Sequence, residues 1–233
     1  GLVGSAGTAL LNFTQCSNTG SITCEAAGFM SHCEAGGLVG SNSLQVAATE
    51  CNNSGSIDGL AEGGFLGGLV GSVGAGDCFV DTCNNTGAVT GLFQDSDDGA
   101  TVAGLVGATK VSASSASRMR SKGRASRRQS EPVTSATITN SQNIGTVSIN
   151  TTRGCACGLV GSKTAYAAVK NSANHGSVSG GAVCGIACNV MSAHNVVSLG
   201  TLEGSNETHA LWSSCVGTAE SVFVSENIST TGS

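Results

Sequence analysis

One tetrapeptide returns along this chain and limits what the chain can fold into. Gly-Leu-Val-Gly stands at residues 1–4, 37–40, 68–71, 104–107 and 158–161. Two decayed copies follow, Gly185-Ile186-Ala187-Cys188 and Ser214-Cys215-Val216-Gly217. Successive copies lie 36, 31, 36, 54, 27 and 29 residues apart. Each is followed by a second signature, Asn-x-Gly-x-apolar: Asn18 to Ile22, Asn53 to Ile57, Asn85 to Val89, Asn143 to Val147 and Asn174 to Val178. In the sixth copy Ser198 replaces the Asn, and in the seventh Asn227 is read as the retained Asn, with Ser229 in place of Gly.

A period of this size signals a solenoid, a propeller or an array. Helical solenoids are disfavoured, because Gly costs a helix about 1 kcal/mol per residue and 35 of the 233 residues are Gly. Short β-branched runs between Gly, Asn and Asp read as strands and turns. Propeller blades need four strands and about 40–50 residues, more than most of these units offer. The expected fold is an all-β parallel solenoid of about seven imperfect repeats, one domain over residues 1–233. Leu and Val of each clamp then stack on their equivalents in neighbouring coils. Coils about 4.8 Å apart also let equivalent amides hydrogen-bond along the axis. Asn18, Asn53, Asn85, Asn143 and Asn174 are the expected ladder.

The recurring "GGLVG" followed by Asn-x-Gly-x-Val resembles the GLUG-motif repeats of secreted and surface proteins, including some bacterial IgA-cleaving peptidases. The resemblance implies a β-solenoid within a large surface protein. It implies no peptidase activity, since the repeats are distinct from any catalytic domain.

Eleven cysteines point outside the cytosol. Sequons agree: Asn12, Asn52, Asn84, Asn150 and Asn206 are candidate N-glycosylation sites. Side chains alternate across a strand, so an inward Asn53 and Asn85 put Asn52 and Asn84 outside. Asn227 also opens a sequon but is expected in the ladder column. Cys16, Cys51 and Cys83 each precede a ladder Asn by two residues and are expected to stack. Cys24 with Cys33, Cys78 with Cys83, and Cys184 with Cys188 are close enough for loop-closing bridges. Cys157 and Cys184 can instead join adjacent coils. Cys155-x-Cys157 and Cys184-x3-Cys188 lack the paired spacing of structural zinc sites, and His194 and His209 are weak partners, so neither metal nor cofactor is expected. Asp95, Asp97 and Asp98 read as an acidic turn rather than a calcium loop.

The long fourth interval holds a Ser/Arg-rich insertion, residues 110–134. Its seven basic residues against Glu131 leave it at +6, and the rest of the chain at −11, within a total of −5. Arg118, Arg120, Lys122, Arg124, Arg127 and Arg128 form a basic arm on an acidic rod, a patch that can steer association with an acidic neighbour or polyanionic glycan. The arm has no aromatics to stack on bases, which disfavours nucleic acid.

No apolar run is long enough to span a membrane, and no signal peptide opens the chain, which reads as a processed product or a piece of something longer. Catalytic signatures are lacking. No G-x-S-x-G elbow occurs, and His32, His175, His194 and His209 have no evident carboxylate partner. The expectation is a non-catalytic, extracellular or cell-surface structural or adhesive protein. Its tips meet further repeats of a longer chain or the next subunit of a head-to-tail filament. A polysaccharide-active β-helix enzyme is one alternative. An ice- or glycan-binding solenoid is another, but the threonines at 137–139 and 151–152 do not recur at repeat spacing.

Overall fold

The glycine clamps fix where the backbone can double back, and a computed structural model shows one coil per repeat. It describes residues 1–7, 9–28, 31–74, 76–94, 99–109, 134–162, 165–224 and 228–230. Every strand pair among them is parallel, as a β-solenoid requires.

The second coil shows the plan. Its strands are His32–Gly36, Val39–Asn42, Val46–Thr49, Asn52–Asn53 and Ile57–Ala61. The clamp supplies a four-stranded sheet on one face, and the remaining segments build sheets of 12 and 11 strands. Val3, Val39, Val70, Val106, Val160, Ala187 and Trp212 stand in one column up the stack. Leu38, Leu69, Leu105, Leu159 and Ile186 are all fully buried beside it. Each such side chain contributes about 1.5–3 kcal/mol by leaving water.

Between Thr49 and Asn52 the chain turns sharply at Glu50, whose φ is +55°. The same corner recurs in every coil, at Gln15, Thr82, Asn140, Asn171, Asn195 and Ser221. A left-handed residue that is not Gly is uncommon, and the stack repeats it as a column.

The insertion falls between the strands Val106–Thr109 and Thr134–Thr139. Its ends are tied together by a 2.6 Å hydrogen bond between the hydroxyls of Thr109 and Ser135. Arg118, Arg120, Lys122, Arg124, Arg127 and Arg128 lie outside the described residues, as do Asp95, Asp97, Asp98 and Asn227.

The seventh repeat departs from expectation. Ala187 pairs with Trp212 and Asn189 with Ser214, so the last clamp is Ala210-Leu211-Trp212-Ser213, four residues before the copy legible in the sequence. Ser198 pairs with Val224, which puts Val224, not Asn227, in the ladder column. The sequence alignment had followed a lone Val-Gly pair, but the column is set by the length of the strand Ala187–Ser198.

Candidate functional site

The recurring residues meet at a narrow waist inside the solenoid. Asn18 Nδ2 donates to Asn53 Oδ1 at 2.7 Å. Asn53 donates in turn to Asn85 at 2.8 Å, Asn85 to Asn143 at 2.8 Å and Asn143 to Asn174 at 2.9 Å. The other N–H of each amide goes to the carbonyl of the Gly two residues on, at 2.8–2.9 Å. These amides are buried, so an unmade bond would cost about 1–3 kcal/mol.

Across the interior, the first residue of each clamp from the second coil to the fifth faces the ladder. A Cβ added to Gly37 would lie 2.6 Å from Asn53 Oδ1, and one on Gly104 would lie 2.3 Å from Asn143 Cγ. Gly68 and Gly158 stand in the same relation to Asn85 and Asn174. The clamp and the Asn signature are therefore two walls of one contact. The waist divides the core into a half around Leu38, Val46 and Leu69 and a half around Ile57, Leu66 and Val89.

A second ladder runs beside the first, at the corner. The backbone N–H of Cys16 points to Cys51 Sγ at 3.4 Å, and that of Cys51 to Cys83 Sγ at 3.2 Å. It continues from Cys83 to Ser141 Oγ and from Ser141 to Ser172 Oγ, at 3.0 and 3.2 Å. The three cysteines stack as expected and are not bridged to one another. Ser141 and Ser172 were missed as members. The signal was present, since each also stands two residues before a ladder Asn. Burial pushes the Cys78 and Cys83 thiols up to about 12 and raises that of Cys51. Outside the corner, the Thr139 hydroxyl and the Asn140 amide hold the Asp81 carboxyl below its ordinary value.

The cysteine pairing is partly as expected. Cys24 and Cys33 form a disulfide with a Cα separation of 5.9 Å. Cys78 and Cys83 remain thiols, with the left-handed corner at Thr82 between them and Cys83 Sγ directed at the Asp81 carbonyl at 3.1 Å. Cys188 bridges to Cys155 rather than to Cys184. Cys157 and Cys184 do stand opposite one another on adjacent coils. All four of these cysteines gather in one buried group, with sulfurs within 4.8 Å of one another. Spacing along the chain had argued against such a group, but the solenoid brings separate strands into contact.

Two histidines also find carboxylates, one across coils and one two residues away in sequence. His194 Nδ1 lies 3.4 Å from Glu220, directly above it in register, and His209 Nε2 lies 3.5 Å from Glu207. Among the sequons, Asn12, Asn52, Asn150 and Asn206 are exposed. Asn84 is half-buried and donates to Asn52 Oδ1 at 3.1 Å. The Asn150 amide oxygen accepts the Phe93 N–H at 2.7 Å, and Asn206 Nδ2 donates to the Thr152 carbonyl at 2.7 Å.

No protein-family model matches the sequence, and neither does any curated protein. In structure the chain is similar to a putative immunoglobulin A1 protease from Bacteroides ovatus, with a TM-score of 0.51. The match covers 90% of this chain and 67% of that one at 15% identity. At that identity the likeness is one of fold: both backbones wind as parallel β-solenoids.

Proposed function

We propose that this chain is a non-catalytic structural or adhesive scaffold of the cell surface or extracellular space, built from repeats of the GLUG type. The observation that supports this most is where the repeat places its recurring residues. Leu, Val, Asn and Gly of the second to fifth copies face the interior and hold coil to coil, so what the repeat preserves is the stack itself. A disulfide at Cys24–Cys33 suits an oxidising compartment. The protease name of the Bacteroides structure gives no reason to assign peptidase activity at such low identity.

Covalent N-glycans belong to this reading. Asn12 and Asn52 are the acceptors of choice, because both are exposed, whereas the exposed Asn150 and Asn206 engage the Phe93 N–H and the Thr152 carbonyl. The basic insertion docks an acidic neighbour or a polyanionic glycan, with an affinity that falls as salt rises.

The tips support end-to-end contact. Leu2 and Leu10 are exposed on the first coil, and Val216 and Phe223 on the last. Asn18 Oδ1 is the acceptor end of the ladder, so a coil stacked there has to offer an amide donor. Electron microscopy of purified chain, with light scattering across concentration, tests the assembly. Rods that lengthen with concentration are expected. Monomers of fixed length at the highest concentration would overturn end-to-end self-association.

A further inference from the structure

Four sulfurs that the sequence scatters over two coils converge at one point. Cys155 and Cys157 lie on the strand Cys155–Cys157, Cys184 ends Val178–Cys184, and Cys188 stands within Ala187–Ser198. All four are buried, with Sγ atoms within 4.8 Å of one another. Cys157 Sγ lies 3.5 Å from that of Cys155 and 3.2 Å from that of Cys188. A tetrahedral ion with metal–sulfur bonds of about 2.3 Å needs sulfur–sulfur edges of about 3.8 Å. A bridge between Cys155 and Cys188 uses two of the four sulfurs and spans Cα atoms 7.4 Å apart. Disulfides ordinarily span about 4.4–6.8 Å, as Cys24–Cys33 does at 5.9 Å.

The repeat supplies an independent argument. Up the stack, the position of Cys157 and Cys184 is Gly36, Gly67 and Ala103 in earlier coils. The position of Cys155 is Thr101 one coil below. Cys188 replaces the glycine that closes every intact clamp, where a Cβ on Gly161 would lie 2.4 Å from the Gly107 carbonyl. Cysteine thus displaces Gly or Ala at 157, 184 and 188, the column of Cys155 being variable with Glu34, Phe65 and Thr101 in earlier coils, and the fold makes the four cysteines neighbours.

The surroundings also suit an ion. A depression of about 250 Å³ opens beside the sulfurs and is lined in part by Glu207 and His209, which gives an entry path. His209 stands directly above Cys184 in register. Its Nε2 is buried without a hydrogen bond, with the Glu207 carboxylate 3.5 Å away.

We propose that Cys155, Cys157, Cys184 and Cys188 bind one zinc-like divalent ion as a closed tetrathiolate that ties the fifth coil to the sixth. Thiolate ligands in a tetrahedron select zinc over harder ions. Binding exchanges four thiol protons for one metal ion. If Cys155 and Cys188 are joined, two electrons from a reductant must first return them to thiols.

The test uses the whole chain. A water-soluble phosphine reduces the bridge to two thiols and becomes the phosphine oxide, taking its oxygen from water. After anaerobic desalting, the protein is titrated with Co(II) and then Zn(II). One cobalt per chain is expected, with thiolate charge-transfer absorption in the near ultraviolet and tetrahedral ligand-field bands in the red. One equivalent of zinc should abolish both. The double variant Cys155→Thr/Cys157→Ala carries the residues of the coil below, and Cys188→Gly restores the clamp, so both retain the fold. Both should lose the red bands, whereas Cys51→Ser should keep them. Reduced wild type with native circular dichroism and no cobalt bands would overturn the proposal, as would bands that survive in the double variant.

Discussion

From Asn53 to Asn174 the waist is crossed by amide bonds on one wall and lined by bare glycine on the other. At Ser198 the amide wall is lost although Gly185 still faces it, and one coil further on neither wall is kept. Ser198 Oγ is buried without a hydrogen-bond partner, Val224 follows it, and Cys188 and Ala210 break the glycine clamps. The corner ladder lapses at the same height, where Val196 stands above Ser172. The two regions share a backbone path but not a means of holding it. In the lower coils, polar side chains set the spacing at a point where apolar packing is thin. In the upper coils, longer strands carry the pairing, with 12 residues in Ala187–Ser198 and eight in Leu202–His209. Buried cysteines occupy the gap between the two regimes.

The strongest way to break this comparison is to fill the waist. Alanine at Gly104 would put a Cβ 2.1 Å from the Gly158 carbonyl oxygen and 2.3 Å from Asn143 Cγ. Neither backbone nor ladder can yield, so Gly104→Ala should lose more than about 4 kcal/mol in urea unfolding. Gly4→Ala, with nothing within 4 Å of its Cβ, should change stability by less than about 0.5 kcal/mol. Equal effects would mean that the waist is not a tight contact.

Next in size is the ladder itself. Asn143→Leu keeps the volume but removes the acceptor for Asn85 and the donors to Asn174 and Gly145. The expected loss is about 3 kcal/mol. Ser198→Ala, at the lapsed position, should cost under about 1 kcal/mol, because no bond is lost. Denaturant midpoints of the two variants make the comparison directly.

A third difference depends on pH. The Cys78 thiol is pushed up to about 12 by burial, against an ordinary value of 9.0. The unfolded chain therefore gives up this proton near pH 9, while the folded chain keeps it. Stability is fully present below pH 9 and falls as pH rises towards 12, by about 1.4 kcal/mol per pH unit for each such thiol. Cys78→Val, which matches Val46 in the same column, should reduce the slope by about 1.4 kcal/mol per pH unit, leaving the share of Cys83, also pushed up to about 12. An unchanged slope in the variant would assign the alkaline loss to other groups.

The smallest expected effect sharpens the contrast by repair. Ser198→Asn would offer an acceptor to Asn174 and extend the ladder by one coil, facing Gly185, which already lacks a Cβ. A gain of about 1 kcal/mol is expected, read as a raised Tm.

Much of this architecture was legible because a stacked repeat writes each structural role once per coil. Leu38, Leu69 and Leu105 recur in sequence and recur in the core, and the amide column is the one that the spacing of Asn53, Asn85 and Asn143 marks. What failed was whatever depends on contacts across the coil or on drifted copies. That the clamp glycines face the ladder cannot be read from order alone, because 15 residues separate Gly37 from Asn53. The cysteine group was hidden for a similar reason: Cys155 and Cys188 are 33 residues apart, yet lie one turn apart in space. The last clamp was misplaced because a chance Val-Gly outweighed a strand whose length no motif records.

The hydroxyl bridge between Thr109 and Ser135 gives the basic arm a closed base. Chain enters and leaves the stack at adjacent points, and the register of Cys78 with Ala136 runs on unbroken above it. Loop-closure entropy grows only slowly with length, so this doorway can host segments of very different size at nearly constant cost. The rungs on either side of the Thr109–Ser135 bond therefore keep their pairing whatever the length of chain between those two residues.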